Sequence, residues 1–132
     1  MSGLLDGKVA LISGVSQDGQ IGQTVAQALA KEGAALGIAA RSQKNMEARA
    51  KELEAAGAKV LALAADLTAG AQVDALVKRM LDHYGNIHLV VNLAGGLTRY
   101  KSAVDHSLED WSMELNNNLL SAFLLSRAVF PH

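Results

Sequence analysis

A doubly wound parallel sheet, held in three layers between helices, is the fold this sequence predicts. The evidence is a series of short apolar runs with glycine boundaries, helical repeats between those runs, and no polar–apolar alternation inside them. Strands that are apolar at every position are buried on both faces, as in parallel sheets covered by helices on each side. Right-handed crossovers then leave a doubly wound sheet as the natural topology, expected here with four strands in the order 3-2-1-4.

The first run, Lys8 to Ser13, lies between Gly7 and Gly14 and reads as a buried strand. A glycine-containing loop follows, then Ile21, Val25, Ala28 and Leu29 at helical spacing, with Gly33 placed to end that helix in a left-handed turn. Ala35 to Ala40 is the second strand. Met46, Ala50 and Leu53 mark a helix stopped by Gly57, and Lys59 to Ala64 is the third strand. Val73, Leu76, Val77, Met80, Leu81 and Tyr84 form the strongest amphipathic pattern, ending at Gly85, before a fourth strand from Ile87 to Asn92. A polar loop from Gly95 to His106 leads to Ser107 and Asp110, spaced as a capping box for a last helix reaching about Phe130. No linker or repeat interrupts the 132 residues, which read as a single domain, residues 1–132.

Composition narrows the function. A net charge of −1 gives no electrostatic case for nucleic acid or an anionic membrane. The absence of cysteine removes disulfides and thiolate metal sites. The four histidines show no metal spacing and read as surface residues. No apolar stretch approaches the roughly 20 residues of a membrane span, and the opening residues lack the pattern of a secretory signal. A soluble, cytoplasmic protein is expected.

The segment Ser13 to Gly22 runs from a strand into a helix. A phosphate placed there meets free backbone N–H groups and the positive end of the helix dipole, and glycine allows close approach. A Walker A loop is excluded because Gln20 stands where the lysine must be. A nucleophile elbow fails because Asp18 follows Gly14-Val15-Ser16-Gln17 where glycine is required. A dinucleotide site needs support at the end of the second strand, where a carboxylate would bind ribose hydroxyls. Ala40-Arg41-Ser42 offers a guanidinium instead, suited to bidentate contact with a 2′-phosphate. NADP is therefore expected over NAD. The alternative is that Arg41 is an ordinary solvated residue near a helix start.

Four motifs, in order, resemble those of the short-chain dehydrogenase/reductase family. Ser13-Gly14 through Ile21-Gly22 is similar to its glycine motif, and Ala65-Asp66-Leu67-Thr68 to its adenine-contacting Asp motif. Val91-Asn92-Leu93-Ala94-Gly95 resembles its Asn-Asn-Ala-Gly element, and Trp111 with Asn118-Leu119 resembles the helix of its catalytic asparagine. The resemblance implies a Rossmann-like fold and cofactor contacts at Gly14, Ser16, Gly19, Ile21, Arg41, Ser42, Asp66, Leu67, Asn92, Ala94 and Gly95. It also implies a catalytic role for Asn118, on a helix distorted to hold a proton-relay water. Read from the residues alone, Asp66 can instead cap the following helix and Asn92 can tie neighbouring strands. Asn116-Asn117-Asn118 signals either local irregularity or a polar surface patch.

This chain departs from the family pattern in three places. Ser13 replaces a threonine, Leu93 replaces the second Asn, and the glycine loop is two residues longer, with Gln20 at a usual glycine. That loop length resembles divergent enoyl-acyl-carrier-protein reductases, whereas Arg41 and the Asn92 element fit the keto-reductase branch. The family's proton donor is a tyrosine with a lysine four residues later. Tyr84 is followed at that spacing by His88 and Tyr100 by Val104. The 132 residues are therefore expected to bind cofactor without turnover, as the front half of a reductase for small carbonyl or alcohol substrates, ending before a fifth strand. A non-catalytic nucleotide-binding or assembly module, and a fragment of a divergent enoyl-acyl-carrier-protein-reductase-like member of the family, are the other readings. The apolar run Leu119 to Leu125 implies a helix buried on more than one side, as in the family's subunit contacts, and so a homo-oligomer.

Overall fold

A computed structural model describes residues 3–132. Strands β1 (Val9–Ser13), β2 (Ala35–Ala40), β3 (Val60–Ala64) and β4 (Leu89–Asn92) pair in parallel in the order β3-β2-β1-β4, as expected. Helices α1 (Ile21–Lys31), α2 (Gln43–Ala55) and α3 (Gly70–Tyr84) link them.

The continuous apolarity of β1 has a direct structural reason. Ala10 and Ile12 pack with Ala26 of α1 and Met46 and Leu53 of α2. Val9 and Leu11, pointing the opposite way, pack with Val73, Leu76 and Met80 of α3 and with Leu125. Successive side chains point to opposite faces, so between two cores each position from Val9 to Ile12 is apolar and buried. Gly33, Gly57 and Gly85 take positive φ values of 93°, 91° and 78°, which end the three helices and turn the chain back to the sheet.

Two sequence expectations are corrected here. The fourth strand begins at Leu89 rather than Ile87, because the residue between them turns its ring to the neighbouring strand. His88 Nδ1 accepts from the Val9 N–H at 3.0 Å, while its own N–H donates to the Val9 carbonyl at 2.9 Å. His88 is therefore a tie across the sheet, not only a surface residue. In α1 the buried residues are Gly22, Gln23 and Ala26, whereas Ile21 is 72% exposed and Ala28 faces solvent. The helix packs through its small residues because it sits against the glycine loop: a Cβ on Gly22 would lie 2.3 Å from the Gly14 carbonyl oxygen.

The last helix is three segments, α4 (Leu108–Leu115), a π-helical turn (Asn116–Leu120) and α5 (Ser121–Val129). The predicted capping box is present: Ser107 Oγ accepts from Asp110 N at 3.0 Å and Asp110 Oδ2 from Ser107 N at 3.1 Å. Leu124, Leu125 and Val129 are buried against α3 and the sheet, while Trp111, Leu119 and Phe123 are more than half exposed. Within this chain the helix is thus covered on one side only. No helix of the described residues is long and apolar enough to cross a membrane.

Candidate functional site

The order β3-β2-β1-β4 puts a switch point at β1, where the chain leaves toward β2 on one side and β4 lies on the other. Ser13, the last residue of β1, is in register with Ala39 and Asn92. The loops leaving the carboxyl ends of the strands therefore part there, which is where open α/β sheets take ligands. A cleft of about 420 Å³ occupies this position. A larger cavity of about 630 Å³ lies at the amino ends of β1 and β4 around Asn86, His88 and Phe130, and holds none of the predicted site residues.

The cleft gathers Gly14, Ser16, Arg41, Ser42, Asp66, Leu67, Ala94 and Gly95 from four separate segments. Three other expected contacts fall outside its lining. Gly19 and Ile21 lie at the exposed turn into α1, and the Gly19 N–H already donates to Gln23 Oε1 at 2.7 Å. Asn92 Nδ2 donates to Ser126 Oγ at 3.0 Å, so its side chain ties β4 to α5 rather than strand to strand. Gln17, Gln20, Asn45, Thr68, Asn117 and Ser121 also line the wall and are not among the expected contacts.

The cleft floor is shaped by Ser13. Its buried Oγ accepts from both Leu93 N and Ala94 N at 3.1 Å, which draws the loop after β4 against the loop after β1. The substitution of serine for threonine therefore retains the one atom that matters here. Gly14 lies so close that a Cβ on it would meet the Leu93 carbonyl carbon at 2.6 Å.

At the cleft's far side Ser42 caps α2, its Oγ accepting from Asn45 N at 3.3 Å. Arg41, just before the cap, is exposed and forms no ion pair with a described residue. Asp66 does not cap α3, whose cap position is Ala69. Its Oδ1 instead accepts from Thr68 Oγ1 at 2.7 Å and Thr68 N at 2.9 Å. Those bonds, with a smaller attraction to Arg41, hold its carboxyl below the usual aspartate range.

Asn118 stands beside the cleft, on a neighbouring cavity of about 410 Å³ shared with Gly96, Trp111 and Glu114. Its Oδ1 accepts from Gly96 N at 2.8 Å, and its Nδ2 donates to Gly96 O at 3.1 Å and Glu114 O at 2.9 Å. The irregularity expected from three asparagines is the π-helical turn itself. Helical carbonyls in this stretch are met by side chains: Asn118 takes that of Glu114, and Ser121 Oγ takes that of Asn117 at 2.8 Å.

Helix α4 also laces down the loop that follows β4. Glu114 Oε1 accepts from Thr98 N, Thr98 Oγ1 and Arg99 N at 2.8, 2.6 and 3.0 Å. Asp110 pairs with Lys101 at 2.7 Å and Arg99 at 3.4 Å. The Lys101 hydrogen bond first, then those of Ser107, lower the Asp110 carboxyl from 3.8 to about 2. A lowered aspartate pKa contributes stability that is complete above the unperturbed value and lost as pH falls through the folded one. Acid titration followed by the fluorescence of the single tryptophan, Trp111, is expected to show a change between about pH 4 and pH 2 that Asp110→Asn lacks.

Neither tyrosine reaches the cleft. Tyr84 Oη donates to the Leu36 carbonyl at 2.9 Å, and burial raises its pKa. Tyr100 is 84% exposed on the loop after β4. No group of three or more acidic or histidine side chains among the described residues is placed to hold a metal ion.

Comparison with known proteins decides the family. The model of the short chain dehydrogenases matches residues 8–132. This chain belongs to the short-chain dehydrogenase/reductase family. It is 36% identical over 128 residues to the (2S)-[(R)-hydroxy(phenyl)methyl]succinyl-CoA dehydrogenase subunit BbsD of Thauera aromatica, covering 97% of this chain and 50% of that one. It is 33% identical over 128 residues to the 3-oxoacyl-[acyl-carrier-protein] reductase FabG of Thermotoga maritima, covering 97% of this chain and 51% of that one. A short-chain type dehydrogenase/reductase crystal structure from Mycobacterium marinum superposes with a TM-score of 0.89 at 33% identity, over 95% of this chain and 49% of that one. The chain spans about half the length of the curated relatives it matches.

The family binds a nicotinamide dinucleotide, and the cleft's residues fit one. The α1 amino terminus faces solvent with no side-chain cap and no acidic residue in its first turn, which leaves N–H groups and the dipole free for a pyrophosphate. Ser16 stands at that end of the cleft, Arg41 at the end of β2 and Asp66 with Leu67 at the end of β3.

Proposed function

We propose that this chain is the cofactor-binding half of an NADPH-dependent oxidoreductase that acts on a small carbonyl compound, of the 3-oxoacyl type. The observation that carries the reading is Arg41: a guanidinium, unpaired among the described residues, on the wall of the cleft where a carboxylate would serve NAD. A planar fork of donors grips a phosphate bidentately. The relatives named as a 3-oxoacyl-[acyl-carrier-protein] reductase and as a hydroxy(phenyl)methylsuccinyl-CoA dehydrogenase subunit support a carbonyl–alcohol interconversion.

In this reading the bound cofactor supplies a hydride. The chain's own residues bind and orient it. Backbone N–H groups after β1 take the pyrophosphate, Arg41 and Ser42 the 2′-phosphate, and Asp66 with Leu67 the adenine. Ala94, drawn in by Ser13, and the adjacent Gly95 would border the nicotinamide. Asn118 holds the adjoining Gly96 backbone in place and opens the helix by one π turn beside the substrate side of the cleft. The tyrosine proton donor of the family has no counterpart at Tyr84 or Tyr100, so the 132 residues bind without turnover.

Calorimetric titration tests the reading. NADPH is expected to bind at least about tenfold more tightly than NADH, a difference of about 1.4 kcal/mol. Equal affinities would contradict the NADPH assignment, and no binding of either would contradict the cofactor site. The exposed Trp111, Leu119 and Phe123 face of the last helix supports self-association through that helix. Sedimentation is expected to show a dimer or larger species, and a stable monomer at high concentration would count against it.

A further inference from the structure

The glycine loop of this chain contains one carboxylate, Asp18, in the stretch lengthened by two residues. It is 81% exposed, and its neighbours Gln17 and Gln20 line the cleft beside Arg41, Ser42 and Asn45. A negative charge there would oppose a 2′-phosphate. The charge is met from below by Arg49 of α2, whose side chain is only 12% exposed and whose Nη1 lies 3.5 Å from Asp18 Oδ1. Arg49 Nη2 donates to Glu52 Oε1 at 2.6 Å. Glu52 Oε2 accepts from Gln23 Nε2 at 2.6 Å, and Gln23 Oε1 returns to the loop at the Gly19 N–H, 2.7 Å away. One cation thus answers two carboxylates, in a circuit that fastens Asp18 and Gly19 to α1 and α2.

Arg49 Nε is buried and has no acceptor, which costs stability. The Gly19 N–H is given to Gln23, so that donor holds the loop and is not left for a phosphate.

From these contacts we infer that Arg49 is a positioning residue for cofactor selection: it holds Asp18 down and offsets part of its charge, so that the long loop tolerates a 2′-phosphate at Arg41. The inference rests on the NADPH reading above. Without Arg49, the Asp18 carboxylate, next in sequence to Gln17 at the edge of the cleft, would be uncompensated. NADPH, with its additional phosphate charge at that end, would be repelled more than NADH.

The test is a double-mutant cycle read by calorimetric titration of NADPH and NADH, with thermal melts as the folding control. Arg49→Met is expected to weaken NADPH about tenfold and NADH no more than about threefold. Adding Asp18→Asn is expected to recover most of the NADPH loss, and Arg49→Lys to retain the preference. Equal losses for both dinucleotides, or a double variant no better than Arg49→Met, would show Arg49 to be structural and overturn the inference. Should Arg49→Met fail to fold, Asp18→Asn alone decides: it is expected to bind NADPH as tightly as the parent or tighter, and a loss beyond about threefold overturns the proposal. A parent chain that does not prefer NADPH would instead refute the NADPH reading, which the titration of the unmodified chain shows separately.

Discussion

Replacing Gly14 by alanine is expected to destabilise this protein by about 3 kcal/mol or more. Two separate costs combine. Gly14 has φ +85°, a conformation that costs an L-residue about 1–2 kcal/mol. The new methyl would also lie 2.6 Å from the Leu93 carbonyl carbon and 2.7 Å from the Ala94 nitrogen. Both are backbone atoms, held where they are by Ser13 Oγ, so neither can give way cheaply. Gly19→Ala is the control. Its φ is +71°, but nothing lies within 4 Å of the added carbon, so only the conformational cost of about 1–2 kcal/mol applies. Thermal denaturation should lower the melting temperature of Gly14→Ala by roughly 10 °C and of Gly19→Ala by only a few degrees. Equal shifts would mean that the β1 and β4 loops are not packed as described.

Arg41→Ala is expected to raise the dissociation constant of NADPH by about 10- to 100-fold, the loss of charge-assisted hydrogen bonds of about 1.5–3 kcal/mol. NADH should change by less than about threefold, since it has nothing for the guanidinium to grip. Stability should barely change, because Arg41 is exposed and forms no ion pair with a described residue. Arg41→Asp is expected to reverse the preference, placing a ribose-binding carboxylate at the end of β2. Parallel losses for NADPH and NADH in Arg41→Ala would place the 2′-phosphate elsewhere.

The parts of this fold that were readable in the sequence are those encoded locally. Glycine stops at Gly33, Gly57 and Gly85, apolar strands and the Ser107–Asp110 capping box each lie within a few neighbouring residues, and each is present. The same holds for Arg41, Asp66 and Ala94, because topology alone takes residues at strand carboxyl ends to one crevice. What escaped the sequence depends on partners far along the chain. Gln23 pairs with Glu52 across 29 positions and Asn118 with Gly96 across 22. No local pattern announces such pairs, although a buried glutamine at Gln23 on the sheet side of a helix is a trace of one. In α1 hydrophobicity points to Ile21 and Ala28, whereas close backbone approach at Gly14 selects the small face of Gly22 and Ala26. The tying role that the residues alone allow for Asn92 runs to a distant partner, Ser126 on α5, which no local pattern shows.

The central claim is that the crevice at the carboxyl ends of the strands holds the dinucleotide with its extra phosphate against Arg41. The most direct measurement is a backbone amide NMR titration with 2′,5′-ADP, which carries that phosphate and no nicotinamide. The account predicts saturable shifts at Ser16, Gln17, Arg41, Ser42 and Asp66, with Asn86 and His88 at the opposite end of the sheet unmoved. Shifts confined to Asn86, His88 and Phe130, or none at Arg41 and Ser42 at saturation, would contradict it.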